Sequence, residues 1–501
     1  MENSAMENPA TEKPVTEKPL TEDGGEETRR GTRRARSQLR YVIAAVAGCA
    51  VLGTTLMLLP PSGGPASHAP APAPGAQALT AVAGGVPAAL PDLAVLIRER
   101  ESLLRRQPRD AGSWAVLGTA YAEQGRRTAD TAFYPKAEDA LRTSLKVRRT
   151  AEALAGLGAL ANTRRDFRAA LAWGEEARQL EPKRWTTYPV LIDAYTGLGD
   201  YKAVGRTLEL LLELRSGPAV MARAAAVYRD RGRREDAAAA LSDAAATART
   251  PAERAAYLER GGQLAFERGD REEALRHFQE ALRVDPDQRA AQAGRGRALA
   301  ALGRRTRAVQ AYRAALAKQP LPQYALELGE LYESMGLWDA ARAQYDLLRA
   351  AVRRAAGGGA DEELVLGRFE ADHGEPASAV RRLRAEWVRQ PGIEVADALG
   401  WALHRAGENE EAVRYARIAT DRVHGGGVRS APYMYHLGMI EGELGQPSPA
   451  RRHLQEALRI NPWFSPLWAP SAEQALAALG DVPEEGLPEM DAEGVTPRPY
   501  R

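Results

Sequence analysis

The chain has 501 residues and one cysteine, Cys49, so no intrachain disulfide can form. That absence is permitted in any compartment and does not place the protein in one. Charge of one sign is also lacking. Lys and Arg number 68 against 66 Asp and Glu, a net charge of +2. A dedicated nucleic-acid binder would carry a concentrated basic excess. Catalytic signatures are missing too. There is no GxxxxGK[ST] phosphate loop, no HExxH pair and no CxxC. No GxSxG elbow occurs either. Gly294-x-Gly296 follows no predicted strand and sits inside a helical pattern, which argues against dinucleotide binding. The seven histidines are scattered. His404 and His436 fall in different repeat units and can meet only by stacking of those units, so no metal site is expected. The expectation is a protein without catalytic residues, cofactor or metal.

Long apolar runs are nearly absent as well; the exception lies near the N-terminus. Residues 1–40 are polar and repetitive and end in an arginine cluster (Arg29, Arg30, Arg33, Arg34, Arg36, Arg40), a composition that predicts a disordered tail. Residues 41–59 then carry no charge, and at about 1.5 Å per residue a helix of that length nearly spans a hydrocarbon core of about 30 Å. Pro60 and Pro61 close the run. Basic residues on its N-terminal side predict a cytoplasmic N-terminus, with everything after the run outside the cytoplasm. Three other readings compete. A cleaved signal peptide lacks a nearby small-x-small site. A lipoprotein signal at Val46-Ala47-Gly48-Cys49 would put the mature end in mid-run, and twin-arginine export at Arg33-Arg34 lacks the usual apolar residues after the pair. Residues 60–91, rich in Pro, Ala and Gly, predict a spacer. Asp92 is read as the cap of the helix that follows. Arginine far outnumbers lysine and alanine is abundant, as expected of a GC-rich genome, with an actinobacterium as the expected source.

From about residue 111 to residue 463 one pattern is written ten times, at a period of roughly 33 to 40 residues. Three clear copies begin at the turn glycines Gly269, Gly303 and Gly445 and close at Pro286, Pro320 and Pro462. In the first unit Trp114, Leu117, Gly118 and Tyr121 follow i, i+3, i+4, i+7, one apolar helical stripe. Gly125 is expected to end that helix. Ala137, Leu141 and Ser144 mark the second helix. Later units repeat the small–small–large theme at Leu157, Gly158 and Ala170, at Gly262, Ala274 and Phe278, and at Gly438, Ala450 and Leu454. Insertions fall between units at 355–363 and 423–430. A last helix near 471–479 reads as a cap, and 481–501 as a disordered tail. The fold class expected is all-α: a right-handed α-solenoid of about ten hairpins over residues 92–480, with a concave trough.

This spacing resembles the tetratricopeptide repeat family over about seventy per cent of the chain. The resemblance implies a protein- or peptide-binding groove formed by the first helix of each unit. It places Asp193, Arg229, Gln263, Phe266, Arg297, Glu330, Glu333, Arg368, Trp401, His404, Tyr435 and Met439 in that groove. The lysine and asparagine clamp of relatives that hold chaperone C-termini is replaced by Ala115, Thr119, Ala155 and Ala159, so a different partner is implied. The function expected is a membrane-anchored scaffold. A sensory module signalling through a partner and a secreted accessory protein are the rivals.

Overall fold

The computed structural model describes residues 73–421 and 427–480. Among these there are 23 helices and no strand. An opening pair, α1 (Pro74–Ala83) and α2 (Leu90–Arg106), is followed by ten antiparallel hairpins. The first five are α3 (Ala111–Thr128) with α4 (Phe133–Val147), α5 (Ala151–Thr163) with α6 (Phe167–Leu180), α7 (Thr187–Gly197) with α8 (Tyr201–Leu214), α9 (Pro218–Asp230) with α10 (Arg234–Thr247), and α11 (Pro251–Glu267) with α12 (Arg271–Val284). The second five are α13 (Arg289–Ala301) with α14 (Arg305–Lys318), α15 (Pro322–Glu333) with α16 (Trp338–Gly357), α17 (Glu363–His373) with α18 (Pro376–Arg389), α19 (Ile393–Arg405) with α20 (Asn409–Thr420), and α21 (Ala431–Glu443) with α22 (Pro447–Ile460). Helix α23 (Trp468–Ala478) closes the row.

Small residues at the crossing of each pair let the two helices approach closely. Ala137, Ala170, Ala274, Ala308, Ala379, Ala412 and Ala450, one in each of seven second helices, are fully buried. A Cβ placed on Gly296 would lie 2.8 Å from the ring of Tyr312 on the partner helix, so only glycine fits there. Several starts are capped by side chains: Asp110, Thr150, Asp166, Asp200, Thr250 and Ser430 each accept a hydrogen bond from the backbone N–H three residues on.

The superhelix comes back onto itself. Contacts recur between residues 192 to 195 apart, where a turn inside an early hairpin meets a loop between two later ones. The Nε2 of Gln319 donates to the carbonyl of Arg126 at 2.9 Å. The backbone N–H of Asp361 donates to the carbonyl of Arg164 at 3.1 Å. The N–H of Ile393 donates to the Tyr201 hydroxyl at 3.1 Å, and Arg234 donates to the carbonyl of Arg429. Asn461 Nδ2 donates to the carbonyl of Phe266 at 2.8 Å, and the Arg271 guanidinium lies 4.2 Å from the centre of the Trp463 ring. Every turn of the first five hairpins takes part. The expected trough is therefore walled by a seam between successive superhelical turns. Past the overlap, among the described residues, Arg305 and Trp338, two residues after Gly303 and Gly336, meet no later loop, and Trp338 is 57% exposed.

Several local expectations change. Residues 74–83, assigned by composition to the 60–91 spacer, form α1, because Ala78, Ala81 and Val82 make an apolar stripe buried with Leu93 and Leu96 of α2. Asp92 lies in the first turn of α2, whose cap position is Ala89. Gly125 lies within α3, facing Tyr134; the helix runs on to Thr128 and ends at Ala129 in left-handed geometry. The insertion at 355–363 extends α16 to Gly357 and carries Asp361 to the seam. Among the described residues no helix is long and apolar enough to cross a membrane. The expected span at 41–59, both tails and residues 60–72 of the spacer lie outside the described residues; residues 84–89 join α1 to α2, which begins at Leu90.

Candidate functional site

The seam encloses a lumen. It holds a cavity of about 1680 Å³ to which all ten hairpins contribute, mostly through their first helices. Counted from the start of each repeat unit, the resemblance puts positions 2, 5, 9, 12 and 13 in the groove, and residues at each of these positions line the cavity, Asp230 and Glu267 at position 13 among them. Position 6 faces it too, being four residues past 2 and three before 9 on the same stripe. Arg223, Arg260, Glu327 and His436 occupy that position, which the resemblance leaves out of the groove.

Of the twelve residues placed in the groove from the sequence, Asp193, Arg229, Gln263, Phe266, Arg297 and Glu330 line the lumen, joined by Arg368 and Trp401. They are knitted into a side-chain ladder running from hairpin to hairpin. Asp193 pairs with Arg223. Arg229 donates twice to Glu267, at 2.7 Å each, and Gln263 donates to the same carboxylate at 2.8 Å. Arg297 donates to Gln263 and, at 2.7 Å, to Glu327, which also accepts from Tyr312 at 2.9 Å. The Arg297 guanidinium lies 5.6 Å from the centre of the Phe266 ring. Glu330 sits 3.7 Å from His373.

The other four do not line it. Glu333 accepts from Tyr345 at 2.7 Å and lies 3.2 Å from His373. His404 bonds Asn409 at 2.7 Å. Tyr435 is 1% exposed and bonds Ser471 of α23 at 3.0 Å. Met439 packs into the same apolar core. In the last hairpins α23 covers the face that the repeat register would otherwise turn inward. Trp401 lines the lumen but is 4% exposed, with its Nε1 bound to Asp372 at 2.9 Å and its ring stacked on His436 at 4.3 Å. It is a packing residue whose edge reaches the cavity. His404 and His436 both contact Trp401 and are bonded to different partners, Asn409 and Asp397.

Enclosure shifts the luminal charges. Coulomb attraction to Glu267, against the cost of burial, holds the Arg229 guanidinium well above its ordinary value. Burial, with Glu394 and Glu267 nearby, pushes the Asp230 carboxyl up to about 6 against the pull of Arg229. Burial likewise raises Glu259, and burial together with Arg223 and Arg126 lowers Arg260. Among the described residues Glu259 and Arg260 have no hydrogen-bond or ion-pair partner; they stand adjacent on α11 and face into the lumen. Carboxylates and arginines line the cavity in equal number, and no lysine does. The surface suits planar, bidentate bonding to carboxylates and backbone amides.

Residues 260–321 and 295–360 match the family model of the tetratricopeptide repeat. No curated protein matches the chain in sequence. Similar solved structures include a tetratricopeptide repeat protein from Parabacteroides merdae, 15% identical, covering 53% of this chain and 99% of that one with a TM-score of 0.32. PilF of Pseudomonas aeruginosa is 18% identical over 40% of this chain and 96% of its own, with a TM-score of 0.33. Human IFIT1, solved as a dimer with PPP-AAAA, is 15% identical over 73% of this chain and 85% of its own, with a TM-score of 0.40.

Proposed function

We propose, on the premise that residues 260–360 carry tetratricopeptide repeats within a row of ten hairpins, that this chain is a non-catalytic scaffold whose lumen holds an extended stretch of another polypeptide. The observation that carries this reading is the adjacent Glu259 and Arg260, which face the lumen without a hydrogen-bond or ion-pair partner among the described residues, beside a ladder whose charges are paired with one another. Arg260 is exposed and Glu259 half-buried on the luminal wall, so both are free to bond a ligand that offers both signs. A peptide of mixed charge does so along its whole length. Bidentate bonds from arginine to its carboxylates fix register, and the ladder beneath keeps the luminal side chains ordered before binding.

The same reading places the scaffold at a membrane, anchored by residues 41–59 with the repeats outside the cytoplasm. Two experiments address the two parts. A photocrosslinking amino acid at Arg260 in intact cells should capture a polypeptide that the same label at the outward-facing Leu210 does not; equal capture at both sites sinks the lumen as the site. External protease should remove the repeats from spheroplasts while a cytoplasmic control survives. Protection of both reverses the topology.

A further inference from the structure

A lumen walled on every side raises the question of how a long chain enters it. Among the described residues each turn of the overlap is met by a later loop, so contacts recur along the wall between residues 126–271 and the later hairpins. The wall is not uniform in strength, however. Neighbouring hairpins are joined by buried apolar side chains such as Phe278, Leu328 and Leu383. The seam is polar and sparse: guanidinium to carbonyl at Arg168–Val388 and Arg234–Arg429, side-chain amide to carbonyl at Asn461–Phe266, and a long 3.8 Å pair at Arg165–Glu394. Bonds of this kind are individually modest beside buried apolar packing, and salt weakens the ionic ones. Like charges also face one another across it, Asp230 near Glu394 and Arg234 near Arg429.

We propose that the tube is loaded sideways: the seam parts, an extended segment lies down along the lumen, and the seam closes round the middle of the chain. This rests on the reading of the lumen as a polypeptide site, and it adds the class of partner, a disordered segment lying between folded domains, for which no free end is needed. Opening uncovers the seam's own polar side chains, Arg234, Gln319 and Asn461 among them, and leaves the ladder and the hairpin packing intact, because both run within a superhelical turn. Threading from an end would require the whole segment to slide past the arginine ladder.

The test uses the full chain with Cys49→Ser, which removes its single cysteine. Spin labels at Arg168→Cys and Val388→Cys span the seam, and labels at Leu347→Cys and Val388→Cys lie on adjacent second helices of one superhelical turn. Between about 0.1 M and about 1 M salt the seam pair should gain a second, longer distance while the control pair keeps one. A single seam distance at both salt concentrations overturns the proposal while leaving the lumen reading intact. The binding arm uses a disordered mixed-charge polypeptide, bare and with a folded domain fused to each end. Sideways loading predicts association rates within about threefold of each other; exclusion of the blocked form, or slowing by about tenfold or more, overturns it. If neither form is captured, the lumen reading falls, and this inference with it.

Discussion

The side-chain amide of Asn461 donates to the carbonyl of Phe266 at 2.8 Å, across 195 residues of chain, while its own Oδ1 accepts from the N–H of Trp463 at 2.8 Å. One residue thus shapes the loop that leads into α23 and fastens it to the turn after α11. Asn461→Ala removes both bonds and leaves the Phe266 carbonyl with only local backbone N–H donors such as that of Gly269, for an expected loss of about 1 kcal/mol. A shift of the urea midpoint with unchanged slope, and faster amide exchange around residue 269, are the expected readings. An unchanged midpoint would mean that water replaces the amide at no cost.

Close helix crossing can be separated from helix propensity by two glycine substitutions of opposite sign. In Gly296→Ala the new methyl lies 2.8 Å from the Tyr312 ring, which its hydroxyl bond to Glu327 holds in place; a loss of about 1–3 kcal/mol is expected. In Gly442→Ala the methyl on α21 meets nothing within 4 Å, and a gain of about 0.5–1 kcal/mol is expected. Thermal melts of the two variants should move in opposite directions.

Asp230 supplies a pH dependence. Its folded carboxyl titrates near 6, against about 3.9 in an unfolded chain. Between those values the folded state holds more protons, so this group's contribution to stability falls as pH rises from about 4 to about 6 and is flat above that. Asp230 faces Arg229, Glu267 and Glu394. Asp230→Asn should remove a component on the order of 2 kcal/mol from the slope in that window. Parallel wild-type and variant curves from pH 4 to 7 would contradict the assignment.

The luminal ladder predicts coupling. Arg297→Met leaves Glu327 with only the neutral donors Tyr312 and Gln323, and Glu327→Gln leaves Arg297 with no carboxylate partner; each should cost about 1.5–3 kcal/mol. The double variant should cost less than the sum of the two by about 1 kcal/mol or more. Additive costs would show that the pair is held by its surroundings and does not itself hold hairpins six and seven together.

The hairpins could be read from the sequence because packing inside a pair follows a local rule: a small residue at each crossing, a large one against it, and a turn glycine between. Gly296, Ala308 and Tyr312 state that rule within seventeen residues. The seam could not be read, because it depends on small rotations between successive hairpins that accumulate over 192 to 195 residues, and because most of its hydrogen bonds end on carbonyls that every residue carries. Helix α1 was legible in principle. The stripe Ala78, Ala81, Val82 was hidden by the surrounding Pro and Gly. In the candidate site the repeat register located Gln263, Arg297 and Glu330. It misplaced Tyr435 and Met439 because a capping helix gives the last hairpin a second buried face. It passed over Arg260 because position 6 lay outside the borrowed set.

The spacing at which the wall meets itself works as a vernier. A deletion of a few residues between Arg234 and Arg429 would rotate every later loop out of step with the turn beneath it, whereas loss or duplication of one complete unit would move the whole upper row by one tooth and let the rows engage again. Among natural variants of this chain, length changes inside the overlap should therefore come as entire units, while ragged indels collect at the two rims, where Gly303, Gly336 and Gly407 have nothing above them to keep time with.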